Sequence, residues 1–185
     1  MRHQSEKITT SEELQSAFER SFLIRQELQF SMVDRDSEIR AALTDEEFGS
    51  IVVDGLMAKT PAPEVVNADA REKGKQLAEE LAEIRSVIEK HIADPDKRAQ
   101  GTAAFDVFEG FMKTLEEQDG PRTDMSEIYT KRDVSHVVLE DSYSDMDSFR
   151  SEMFDHFIDM REVLVDVTTE EEWRPIANKL NVMFK

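Results

Sequence analysis

The amino-acid sequence predicts an all-α fold. The expected architecture is a helical bundle of about five to six helices, in which two similar long-helix, capped-corner, short-helix units flank a central helical hairpin. Three observations predict it. Helix-forming Glu, Leu, Ala, Met, Lys and Arg dominate, and only six Gly and five Pro interrupt 185 residues, a mixture that favours long helices. Apolar residues recur at spacings of three and four, the period of one helix face. Residues 25–52 and 150–177 also align without a gap at an offset of 125 residues.

The alignment pairs Arg25 with Arg150, Glu27 with Glu152 and Asp34 with Asp159. Thr44-Asp-Glu-Glu-Phe48 falls on Thr169-Glu-Glu-Glu-Trp173. The apolar pairs Leu28/Met153, Met32/Phe157, Val33/Ile158, Ile39/Leu164 and Ile51/Ile176 keep the same phase. Seven of 28 positions are identical, so the match speaks to similar local structure more than to shared ancestry. The chain is read as a single all-helical domain, 1–185.

The first helix is expected from about Ser11 to Ala42. Thr10 and Glu13 form its capping box, in which each side chain satisfies a free backbone N–H of the other. Leu14, Phe18, Phe22, Leu28, Met32, Ile39 and Leu43 supply its apolar series. Thr44 with Glu47 caps a second, short helix to about Ala58. Thr60-Pro-Ala-Pro63 breaks it, because proline donates no hydrogen bond and disfavours helix in its predecessor.

The central hairpin spans about 66–118. Its first helix runs from about Val66 to Ile92, striped by Leu77, Leu81, Ile84 and Ile88. Asp94-Pro95 starts its second, with Asp as cap and Pro at the first helical position. That helix carries Phe105, Phe108, Met112 and Leu115 to a stop at Gln118-Asp-Gly-Pro121. In residues 122–144, Met125–Lys131 suggests a short helix and the β-branched His136-Val-Val-Leu139 an extended segment. Ser144 with Asp147 starts the fifth helix, which runs to about Val165, and Thr169 with Glu172 caps the sixth. Pro175 falls in the second turn of that helix, opposite Gly49-Ser50 of the first copy. Both copies are therefore weakened at one place.

Charge excludes whole classes of partner. Forty-one acidic against 23 basic residues leave a formal charge of −18, which phosphate backbones and anionic membranes repel. Neither nucleic acid nor a membrane is an expected partner, whereas a protein partner is, and a thin bundle of this size also suits a homodimer. No apolar run approaches the ~20 residues a membrane span needs. Met1-Arg-His-Gln-Ser-Glu-Lys7 contains no hydrophobic leader segment. The expected compartment is cytoplasmic if the chain is native and periplasmic if a leader has been removed.

With no cysteine, disulfides, thiolate catalysis and Cys-ligated metals are excluded. No Gly-x-Ser-x-Gly turn and no glycine-rich phosphate loop occurs. The expectation is a non-enzyme that needs no cofactor. One cluster could hold a metal: Met153, His156 and Met160 share a helix face. Two thioethers and an imidazole suit a soft cation. The same methionines also fit the core stripe of Phe149, Phe157 and Leu164, and the first copy has Ser31 where this one has His156. No Glu-x-x-His pair of di-iron type exists. The acidic runs at 34–39 and 141–147 lack the central glycine of a calcium loop, having Ile39 and Met146 there. Eleven Phe and nine Met form a soft apolar set that fills the core or lines an adaptable groove.

Ile39-Arg-Ala-Ala-Leu-Thr44-Asp-Glu-Glu-Phe48 and Val163-Leu-Val-Asp-Val-Thr-Thr169-Glu-Glu-Glu-Trp173 resemble the Leu-Thr-x-x-Gln corners of the Spy/CpxP group of all-α periplasmic stress proteins. The resemblance covers the two corners and their flanking helices. It implies a chaperone or metal-responsive sensor. The chain departs from it at Glu47 and Glu172, where the family has Gln. Three functions follow as expectations: a non-enzymatic helical binding protein of stress-related or chaperone-like kind; a helical bundle sensing a metal or small molecule; and an acidic protein binding a basic protein partner.

Overall fold

The structure, a computed structural model, describes residues 10–54, 63–117, 128 and 130–183. Among the described residues the regular elements are six α-helices and one π-helical turn, with no strand. They are α1 (Ser11–Ala42), α2 (Asp45–Phe48), the π turn Gly49–Val53, α3 (Pro63–His91), α4 (Pro95–Glu117), α5 (His136–Val167) and α6 (Glu170–Met183). The fold is an all-α helical bundle.

Four boundaries follow directly from capping chemistry. The Thr10 N–H donates to the Glu13 carboxylate at 2.9 Å while the Glu13 N–H donates to Thr10 Oγ1 at 3.1 Å. Asp94 Oδ1 accepts from the N–H groups of Asp96 and Lys97 at 2.9 and 3.1 Å. At the two corners the reciprocal bonds are nearly superimposable. The Thr44 N–H donates to Glu47 at 2.9 Å and the Glu47 N–H to Thr44 Oγ1 at 3.3 Å; for Thr169 and Glu172 the distances are 2.8 and 3.3 Å. A Thr-to-Ala change at such a cap costs ~1 kcal/mol.

Four sequence expectations need correction. His136-Val-Val-Leu139 is helix, not extended, and α5 starts at His136, eight residues before Ser144. The reason is Ser135, whose Oγ accepts from the Val138 N–H at 3.3 Å, together with burial of Leu139. Beyond Phe48 the second helix relaxes into a π turn where Gly49 and Ser50 weaken it. Helix α3 begins at Pro63 rather than Val66, because the first turn needs no N–H from its proline. Pro175 lies within an unbroken α6, so the two copies part at the place where both were expected to weaken. The expected stop at Gln118–Pro121, the end of the second helix at Ala58 and most of the Met125–Lys131 segment lie outside the described residues.

The repeat reaches further than the aligned segments. Helices α1 and α5 both contain 32 residues and keep the 125-residue offset at both ends, Ser11 to His136 and Ala42 to Val167.

The chain packs as two compact units. The first contains Met1–Glu19, Arg71–Gln118 and Ser151–Lys185; the second contains Arg20–Ala70 and Asp119–Arg150. The first unit holds the larger core. Leu81, Ile84 and Ile88 of α3, Phe105 and Phe108 of α4, Phe157, Met160 and Leu164 of α5, and Trp173, Ile176 and Leu180 of α6 are all buried. Each such side chain stabilises by ~1.5–3 kcal/mol relative to exposure. Phe108 meets Phe157 edge-on, centroids 6.3 Å apart, a favoured aromatic geometry. Gly101 lets α4 approach closely: a Cβ there would lie 3.0 Å from Ile92 and 3.1 Å from Leu164. The Arg161 guanidinium lies over the Trp173 ring at 5.5 Å.

The second unit has a small core, Val33, Leu139 and Ile128, with Val134 and Tyr143 packed against it. Arginines tie it together. Arg40 bonds Asp36 and the Lys131 carbonyl and lies over the Phe48 ring at 5.2 Å. Arg132 reaches the Leu43 carbonyl and the Asp45 carboxylate. Each corner therefore seats an aromatic side chain beneath an arginine, but the two arginines occupy different positions of the repeat.

Candidate functional site

Within the second unit, α1 and α5 run antiparallel: Asp34 reaches His136, while Gln26 and Asp147 meet farther along the pair. The helices border a half-open cavity of about 310 Å³, at the lower end of the range for small-molecule sites. From α1 it is lined by Gln26, Gln29, Phe30 and Val33, which share one helix face. From α5, Glu140, Tyr143, Ser144 and Asp147 present the same spacing, with Asp141 beside them.

Two lining side chains are unusual for their burial. Gln29 is only 9% exposed, yet its carboxamide has no hydrogen-bond partner among the described residues. Its amide atoms stay accessible at the cavity surface. Asp147 is 3% exposed and receives one donor, Arg150 Nη1 at 3.1 Å. A carboxylate accepts about four, so most of its capacity is unused. At the rim, His136 Nε2 lies 3.0 Å from Asp34 and Nδ1 lies 3.3 Å from Glu140. The hydrogen bond to Asp34, aided by Glu140, raises the His136 pKa above its usual 6.5.

The chain carries its own comparison for this cavity. In the first unit Phe18 of α1 stacks on Phe154 of α5, centroids 3.9 Å apart and planes 6° apart. The register-equivalent residues in the second unit are Tyr143 and Gln29. Asp147 likewise stands where the register of α1 has Phe22. Phe18 and Phe22 of the first copy thus correspond to Tyr143 and Asp147 of the second, and Phe154 of the second to Gln29 of the first. This exchange was the available sequence signal for Gln29, Tyr143 and Asp147. It went unread because 29 lies inside the aligned segment as an apolar mismatch, while 143 and 147 lie before it.

The corner carboxylates are electrostatically special but structural. Glu172 accepts the Ala93 N–H at 2.9 Å besides its bonds to Thr169. These bonds, Ala93 first, hold its pKa at about 2. Glu47 is lowered more simply, by the backbone and then the hydroxyl of Thr44. Glu172 uses both oxygens in these bonds and Glu47 uses Oε2, so both act as caps.

The Met153, His156 and Met160 set is placed on α5 in the first unit. Met160 is 2% exposed within the core cluster. Met153 and His156 are half-buried, and the His156 ring lies 4.3 Å from that of Phe111. Among the described residues no three His, Asp or Glu side chains gather closely enough to hold a metal ion. No helix among the described residues is long and apolar enough to cross a membrane. Compared with known proteins, the chain matches no family model, no curated protein and no solved structure.

Proposed function

We propose that this chain is a non-enzymatic helical binding protein that takes a small molecule in the cavity between α1 and α5 of its second unit. The observation that carries the proposal is Gln29, a nine-tenths-buried carboxamide that faces the cavity with no partner. The fold makes no use of its donors and acceptor, which remain available at the cavity surface. A bound molecule with a complementary polar edge would pair with them. The absence of any catalytic sequence motif favours binding over turnover.

A thermal-shift screen of small molecules against the wild type and Gln29→Phe tests this. Molecules that raise the wild-type melting temperature and leave Gln29→Phe unmoved support the site. A set of hits that shifts both proteins equally removes it.

A second reading rests on a different face of α1. Ile24, Leu28, Met32 and Ile39 are 49–69% exposed and fall within one side of the helix, away from the cavity-lining side. Methionine and branched aliphatic surfaces repack around varied partners. Such a stripe suits the chaperone-like protein binding that the corner resemblance implies. Suppression of light scattering by an aggregating client protein measures it. The reading fails if Ile24→Glu with Leu28→Glu suppresses aggregation as well as the wild type does.

A further inference from the structure

The cavity also carries the chemistry of its occupant. None of its nine lining residues is Lys or Arg, whereas Glu140, Asp141 and Asp147 all contribute carboxylates. Arg150 and His136 each engage one of these from outside the lining. Asp141 makes no ion pair among the described residues. Inside, Asp147 keeps one oxygen without a protein donor, and the Gln29 carboxamide offers both a carbonyl and an N–H₂ group. Phe30 and Tyr143 add aromatic faces, which attract cations. A ligand that satisfies this wall brings N–H donors and positive charge.

Geometry separates an organic cation from a metal ion. Glu140 and Asp147 stand seven residues apart on one face of α5, about 10 Å along the helix. No metal ion bridges that span, and no three acidic or imidazole groups converge among the described residues. An extended chain bearing separated ammonium groups does bridge it. Its methylenes would lie along Val33, Phe30 and Tyr143.

We infer that the second-unit cavity binds a linear aliphatic amine with more than one ammonium group, one ammonium at Asp147 and Gln29 and another at Glu140. This rests on the cavity being a small-molecule site, and it names the ligand class.

The test is isothermal titration calorimetry with spermidine at physiological salt. The proteins are the wild type, Asp147→Asn, Glu140→Gln, Gln29→Phe and the control Glu170→Gln. Glu170 is exposed on α6 and removes the same charge elsewhere. One-to-one binding is expected, weakened roughly tenfold by Asp147→Asn or Glu140→Gln, as loss of a charge-assisted hydrogen bond implies. Gln29→Phe should abolish it and Glu170→Gln should leave it unchanged. Circular dichroism establishes that each variant is folded, and half-buried Glu140 keeps the test usable if Asp147→Asn is not. Equal weakening by Glu170→Gln would show diffuse attraction to an acidic surface and overturn the inference. Displacement of spermidine by equimolar Mg²⁺ would also overturn it. If spermidine fails while a neutral molecule from the thermal-shift screen requires Gln29, the cation assignment falls and the site stands. If neither requires Gln29, both fall.

Discussion

Gln29→Phe should make the protein more stable. The substitution rebuilds, in the second unit, the aromatic pairing that Phe18 and Phe154 make in the first. A ring placed against Tyr143 contributes about 1 kcal/mol as an aromatic pair and ~1–2 kcal/mol from added apolar burial. The weaker helix propensity of Phe and an imperfect fit to the cavity offset ~1–2 kcal/mol of this. The net gain is about 1 kcal/mol. For a chain of 185 residues that corresponds to a rise of about 2–4 °C in melting temperature. Guanidinium unfolding followed by circular dichroism measures it, with separate transitions fitted if the two units unfold apart. The reverse substitution, Phe154→Gln in the first unit, is the matched control and should lose ~2–3 kcal/mol. A Gln29→Phe protein less stable than wild type would refute the reasoning, because it would mean that Gln29 is already well accommodated.

Gly101→Ala tests the close approach of α4 in the first unit. The new methyl would meet Ile92 and Leu164 at 3.0 and 3.1 Å; overpacking of ~1–3 kcal/mol outweighs the ~1 kcal/mol gain in helix propensity. Urea unfolding should show a net loss, and a stabilised variant would mean that both side chains yield freely. The depressed Glu172 pKa predicts acid sensitivity. Its contribution is present above about 4.5, the unfolded value, and is lost as pH falls toward about 2. Melting temperatures from pH 6 down to 2 should fall less for Glu172→Gln, which keeps the capping acceptor without the charge; identical profiles would dismiss the assignment. His136 should titrate above 6.5 by NMR and shift back down in Asp34→Asn. Because its folded pKa is raised, its stabilisation is present below 6.5 and disappears as pH rises through the folded value.

Local chemistry accounts for what was readable in the string. Thr10, Thr44 and Thr169 each precede a Glu by three, and all three make reciprocal caps. The ends of α1 follow from that first cap and from the corner at Thr44. The start of α5 was misread because Val137 and Val138 argue for a strand on propensity, whereas Ser135 supplies a cap and Leu139 a buried anchor. β-propensity is weak against such context. The π turn after Phe48 was likewise invisible, since glycine and serine announce weakness without saying what form it takes. The candidate site was hidden for a different reason. A glutamine on an amphipathic helix reads as surface, and Gln29 is buried only because α5 lies against it.

Periodicity, capping residues and the 125-residue register are properties of neighbours along the chain. The sequence by itself therefore determined that this protein is all-helical, where most of its helices begin, and that α1 and α5 are built alike. That the first unit stacks Phe18 on Phe154 while the second leaves a polar cavity between α1 and α5 was decided only in the tertiary structure. Burial and hydrogen-bond satisfaction depend on residues more than a hundred positions away, and no local pattern records whether an amide will find a partner there.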